Sequence, residues 1–197
     1  MSMFRRYPGL AMAALAFVSG LLGTFAEGPG FGTAPQLGVY LVLAGVWFGL
    51  VVAFGAWNWG EQRWTGALIA FVATWVAWEL AVNTALQIDA YWTRGGHNPG
   101  WLGLYLAGFV AGAIGAGVTW AGAAVSLPLL RRVHVGAGMI GVGATMGLLL
   151  PYTNHYDNGA ILLIPWQVAV AAWLGRGVKT LGSKHFAASK HLAARMT

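Results

Sequence analysis

Six runs of mostly apolar residues, at about 9–26, 37–57, 65–88, 101–127, 133–150 and 160–175, take up most of the chain. Each is near the roughly 20 residues that an α-helix needs to cross the hydrocarbon core of a bilayer. In lipid the main-chain amides find no water, so each crossing must be helical to satisfy them internally. Charge points the same way. Only 8% of the 197 residues are charged, against about 25% in soluble domains, too few to cover a wetted surface. We therefore expect an all-α integral membrane protein, a bundle of six transmembrane helices over residues 1–175 with short loops, then a basic tail over 176–197.

The net charge of +6 would suit nucleic acid, but the positions of the basic residues give it another meaning. With the N-terminus and C-terminus cytoplasmic, Arg5, Arg6, Arg63, Arg131, Arg132, Arg176, Lys179, Lys184, Lys190 and Arg195 fall inside, and only Arg94 falls outside. That is the positive-inside bias of short-looped membrane proteins, and it leaves no reason to invoke nucleic acid. A bacterial cytoplasmic membrane fits this pattern. Trp57, Trp59 and Trp64 sit at the inner boundary and Tyr91, Trp92 and Trp101 at the outer one, where amphipathic rings favour the headgroups. The first run also has the form of a secretory signal, with a basic start and Thr24-x-Ala26 before Glu27; we expect it to be retained as a helix. The tail holds five basic residues. It is expected either to lie on anionic lipids, at about 1 kcal/mol per basic residue, or to remain solvated. Its Gly177–Lys184 stretch has phosphate-loop glycines, but the closing Ser-Lys order is reversed and no strand precedes it, so that motif is excluded.

Thirty glycines give the second signal. Gly103, Ala107, Ala111 and Gly115, flanked by Gly108, Gly112 and Ala116, make a small-residue seam in the fourth run. Ala137, Gly141 and Thr145 suggest one in the fifth, and Gly45, Gly49 and Ala53 one in the second. Such seams let helices approach closely in lipid. They would serve packing within the bundle, a homo-oligomer, or partner membrane subunits. A weak parallel repeat relates "AGVWFGLVVAFGAW" (44–57) to "AGFVAGAIGAGVTW" (107–120), although Gly and Ala are common enough to match by chance.

The third run carries polar residues every fourth position, Glu79, Asn83 and Gln87, with Asp89 expected just past its end. A carboxyl in hydrocarbon costs about 2.5–3.5 kcal/mol on insertion scales, so Glu79 should face the interior and have a partner. Gln167 and Thr145 fall at similar depth in the sixth and fifth runs, Pro165 frees a carbonyl nearby, and Trp75 lies one turn below Glu79. These residues predict an outward-facing polar cavity for a small solute, cationic if the indole face takes part. A carboxyl tied into a helix–helix hydrogen bond is the structural alternative.

Asp89, His97, His155 and Asp157 in the outer loops are the candidate metal ligands, without a recognised spacing. The absence of cysteine removes disulfides and thiolate sites. No buried nucleophile–base pair is visible, and no cofactor is required. The functional expectation is a transporter or channel component around Glu79. Its alternative is a non-catalytic accessory subunit of a larger membrane complex, of respiratory, photosynthetic or oxygenase type. A membrane enzyme with an outer-facing metal comes third.

Overall fold

The computed structural model of the chain describes residues 6–26, 33–34, 39–40, 44–94 and 100–193, with side chains for 6–25, 45–94 and 100–178. Its helices are α1 (Pro8–Ala26), α2 (Ala44–Trp59), α3 (Arg63–Arg94), α4 (Gly100–Ser126), α5 (Val133–Gly147), α6 (Leu150–Tyr156) and α7 (Ala160–Ala193). A 3-10 turn, Pro128–Arg131, links α4 to α5, and the two-residue strands β1 (Thr33–Ala34) and β2 (Val39–Tyr40) pair antiparallel ahead of α2. Among the described residues, five segments are long and apolar enough to span a membrane: Pro8–Phe25, Arg63–Arg94, Gly100–Ser126, Val133–Tyr156 and Ala160–Val178. Gly45–Trp59 is apolar but shorter. The chain is a multi-pass bundle of membrane-type helices.

Several boundaries differ from the sequence expectation, each for a local reason. In the second run, expected as a helix over 37–57, Val39 and Tyr40 are extended in β2, and the described helix begins at Ala44. Its 16 residues reach about 24 Å at the helical rise, short of the roughly 30 Å core. The third run continues past residue 88 to Arg94, so Asp89, Tyr91 and Trp92 lie within α3 and not in a loop. Nothing in "QIDAYWTR" breaks a helix before Gly95, and Arg94 suits the negative end of the dipole. The fifth run is interrupted at Leu148–Leu149 and resumes as α6. Pro151 explains the step: it has no N–H for the Gly147 carbonyl, and its ring favours a first-turn position. The sixth run has no break at 175, since α7 runs unbroken to Ala193; the tail's side chains beyond Val178 lie outside the described residues. The suggested repeat is out of step with the helices, because Ala44 starts α2 while Ala107 lies well inside α4.

Glycine decides how these helices meet. A Cβ on Gly45 would stand 2.7 Å from the Trp78 Cβ, and one on Gly49 3.1 Å from the Phe71 carbonyl oxygen, so aromatic residues of α3 seat on α2. Between α1 and α7, a Cβ on Gly175 would come within 2.6 Å of the Pro8 carbonyl oxygen. The closest approach joins α4 to α5, where Cβ atoms on Gly108 and Gly112 would run into the carbonyl oxygens of Gly147 and Gly143. The α4 positions named from the sequence, Gly103, Ala107, Gly108, Ala111, Gly112, Gly115 and Ala116, are all buried.

The small-residue seam expected on α5 does not pack within the bundle. The packing face of α5 is Gly136, Met139, Gly143 and Gly147, whereas Ala137, Gly141 and Thr145 are exposed. Gly141 has nothing within 4 Å of its missing side chain. Small residues occur on both faces of α5, so spacing alone does not choose between them. At the end of the bundle expected to lie inside, Arg131 closes α4 by donating from Nε to the Ala124 oxygen and from Nη2 to the Val125 oxygen, both at 3.0 Å.

Candidate functional site

The polar stripe belongs to the side of α3 that points away from the core. At about 100° per residue, Glu79, Asn83 and Gln87 share a flank with Val72, Val76 and Leu80. Those three apolar residues and Gln87 are exposed, whereas Ala70, Thr74, Ala77 and Trp78 on the opposite side are buried. Glu79 and Asn83 are half-buried.

Within the stripe the contacts run along α3. The Trp75 indole Nε1 donates to Glu79 Oε1 at 3.1 Å, and Asn83 Nδ2 donates to the Glu79 main-chain oxygen at 2.8 Å. Trp75 therefore offers the carboxyl its N–H edge, while the Cδ1 side of its ring lies 3.2 Å from the position of a Cβ on Gly45.

The other members of the expected site are elsewhere. Gln167 is fully buried, and its Oε1 accepts a 2.8 Å hydrogen bond from Ser19 Oγ of α1. Its Nε2 has no partner among the described residues. Thr145 is exposed, with its hydroxyl donating to the Gly141 oxygen at 2.8 Å. Gln87 borders a shallow groove with Tyr91, Trp92 and Leu106. The bonds of Glu79, Gln167 and Thr145 thus go to three different places, and the interior polar site expected from their common depth is not formed by these contacts. Pro165 is within α7, beside this region.

Of the candidate metal ligands, His97 lies outside the described residues. Asp89 is part-way along the last turns of α3. Asp157 ends α6 in the left-handed region (φ 49°), a conformation that Asp tolerates at a turn. His155 packs in an aromatic group, 5.7 Å from the Trp101 ring and 4.8 Å from Tyr156. No set of three metal-binding side chains gathers among the described residues.

The structure adds an aromatic centre that sequence reasoning did not identify. Trp166 lies between Phe48 and Trp78, edge-on to both at centroid distances of 5.7 and 5.3 Å. Its Nε1 donates to the Gly143 oxygen at 3.2 Å. Above this centre is a cavity of about 170 Å³, bounded by Trp78, Val82 and Leu86 of α3, Gly108, Gly112 and Gly115 of α4, Leu150 of α6, and Leu162 and Trp166 of α7. None of Glu79, Asn83, Thr145 or Gln167 is in its walls. The only sequence signal for it was the glycine-rich face of α4 opposite two tryptophans. Compared with known proteins, the chain matches no family model, no curated protein and no solved structure.

Proposed function

We propose that the chain is a non-catalytic subunit of a larger membrane assembly, with both termini on the cytoplasmic side, and that α5 is where a neighbouring transmembrane helix seats. The observation that carries this reading is a contrast between outward faces. Those of α1 to α4 present large apolar residues: Leu10 and Phe17 on α1, Leu50 and Phe54 on α2, Leu68 and Leu80 on α3, Leu102 and Phe109 on α4. α5 also exposes Val133 and Ile140, but alongside them Ala137, Gly141 and Thr145 make a run of small residues at four-residue spacing, with open space over Gly141. Bulky side chains solvate well in lipid tails, whereas small residues at this spacing let another helix backbone come close.

The test is the mass of the protein in lipid particles taken directly from its membrane. A particle heavier than one 20.8 kDa chain, collapsing to one chain in Gly141→Leu with helicity unchanged, is expected. A single chain in the wild type overturns the reading.

A second reading, the transporter or channel component, keeps support from one feature. Glu79 is half-buried at the middle of the 32-residue α3, a position where a carboxyl serves proton or cation coupling. It requires water to reach Glu79 from the outer side.

A further inference from the structure

We propose that an anionic phospholipid seats its phosphate on the arginines that α1, α7 and the 3-10 turn bring together at one end of the bundle. This is independent of the assembly reading. Between Ala160 and Val178 every residue of α7 is buried or half-buried except Arg176, which is exposed. The glycines on either side of it fix where it stands. A Cβ on Gly175 would meet the Pro8 carbonyl oxygen of α1, and one on Gly177 would come 2.6 Å from Leu130 Cδ2 of the 3-10 turn. Residues two apart on a helix point about 200° apart, so α1 and the turn flank α7, and Arg176 lies on the arc between them. Its stem lies against α1, with Cγ 3.5 Å from the position of a Cβ on Gly9.

Arg6 is one turn before Gly9, and its guanidinium stands 5.5 Å from the centre of the Tyr7 ring. Across α7, the 3-10 turn ends at Arg131 and Arg132 follows, both exposed. Arg131 commits two of its five N–H groups to the Ala124 and Val125 oxygens, which holds it in place with three left to donate. Among the described residues the only carboxylate at this end is Glu61, in the α2–α3 link, where its amide meets the Ser126 oxygen. Four guanidinium groups are thus carried on adjoining elements, and their planar forks suit phosphate oxygens. Below Arg6, exposed Leu10, Ala14 and Phe17 continue along the same side of α1. A cationic rim above an apolar stripe matches a phospholipid, with its phosphate at the rim and an acyl chain below. A free phosphate or a nucleic acid would use the rim alone. Basic sites at the ends of membrane helices recognise lipid headgroups in this manner.

The test is native mass spectrometry of the whole chain in detergent, titrated with phosphatidylglycerol and with phosphatidylcholine of equal chain length. These lipids share the phosphate and differ in net headgroup charge. The first phosphatidylglycerol should bind about 30-fold more tightly than the first phosphatidylcholine. Arg6 and Arg176 each supply about 5-fold of that, the equivalent of about 1 kcal/mol per basic residue. Arg6→Gln and Arg176→Gln should each reduce the preference by about that factor, and Arg176→Lys should keep most of it. Arg63→Gln removes the same charge from the start of α3, which packs chiefly on α2 and α4, and Lys190→Gln removes it from the tail. Both should leave the preference unchanged. Equal affinity of the two lipids in the wild type, or the same loss in all four glutamine variants, would overturn the proposal. If one of Arg6→Gln and Arg176→Gln does not fold, the other decides.

Discussion

Gly112→Ala replaces one hydrogen by a methyl group at the tightest helix contact in the bundle, and its effect can be worked from the surroundings. The new Cβ would run into the Gly143 carbonyl oxygen, with the Gly143 carbonyl carbon at 3.0 Å and the Gly147 Cα at 3.2 Å. All of these are main-chain atoms, so no side chain can rotate aside and the two helices must separate. Overpacking of this kind costs about 1–3 kcal/mol. Separation also stretches the bond from Trp166 Nε1 to the Gly143 oxygen, already 3.2 Å long, and losing it would leave a buried donor unpaired for about 1–3 kcal/mol more. The expected loss is about 2–6 kcal/mol. Gly141→Ala is the control, because that position is open; there the greater helix propensity of alanine favours the fold by up to about 1 kcal/mol. Unfolding in mixed micelles followed by far-ultraviolet circular dichroism measures both. A Gly112→Ala protein within 0.5 kcal/mol of wild type, a margin typical of uncoupled surface changes, would refute the backbone-contact account of α4 and α5.

Further predictions concern polar groups and orientation. Ser19→Ala removes the donor to Gln167 Oε1 and should destabilise by about 1–3 kcal/mol; adding Gln167→Met should recover most of that loss in the same unfolding assay, since both partners are then apolar. Glu79→Gln keeps an acceptor for the Trp75 indole, so the assembly reading expects little change in stability or particle mass. Proton or cation flux in proteoliposomes that is present in wild type and lost in Glu79→Gln would favour transport instead. Because the chain has no cysteine, a single cysteine at Asn158 should react with an impermeant thiol reagent outside intact cells, and one at Gly60 should not. Labelling at Gly60 would reverse the proposed orientation.

The helices were legible in the sequence because lipid leaves the main chain no alternative to helix, and long apolar runs mark where that constraint applies. Their ends were less so. The Asp89–Arg94 turn is polar enough to read as loop yet contains no helix breaker, and Val39–Tyr40 is apolar enough to read as membrane span yet pairs as a strand. Which way a face points was the main difficulty. Periodicity placed Glu79, Asn83 and Gln87 on one stripe, but the side they occupy depends on where α2 and α4 pack, which involves Gly45, Gly49 and Gly122 in other segments. The same ambiguity hid the packing face of α5, where Gly143 and Gly147 compete with Ala137 and Gly141 on composition alone. Ser19 was a lone hydroxyl in an apolar run, and nothing local tied it to a glutamine 148 positions away.

Oxygen accessibility of a spin label at residue 141, in native membranes, tests most directly whether α5 carries a docking face. Molecular oxygen concentrates in lipid tails, so a label that faces lipid relaxes quickly and one covered by another helix does not. A label at Phe109, on the outward face of α4, supplies the lipid-facing reference. The account predicts that position 141 is shielded relative to position 109 in the native membrane and becomes as accessible as 109 when the chain is purified and reconstituted alone. Equal accessibility of the two positions in the native membrane would contradict it.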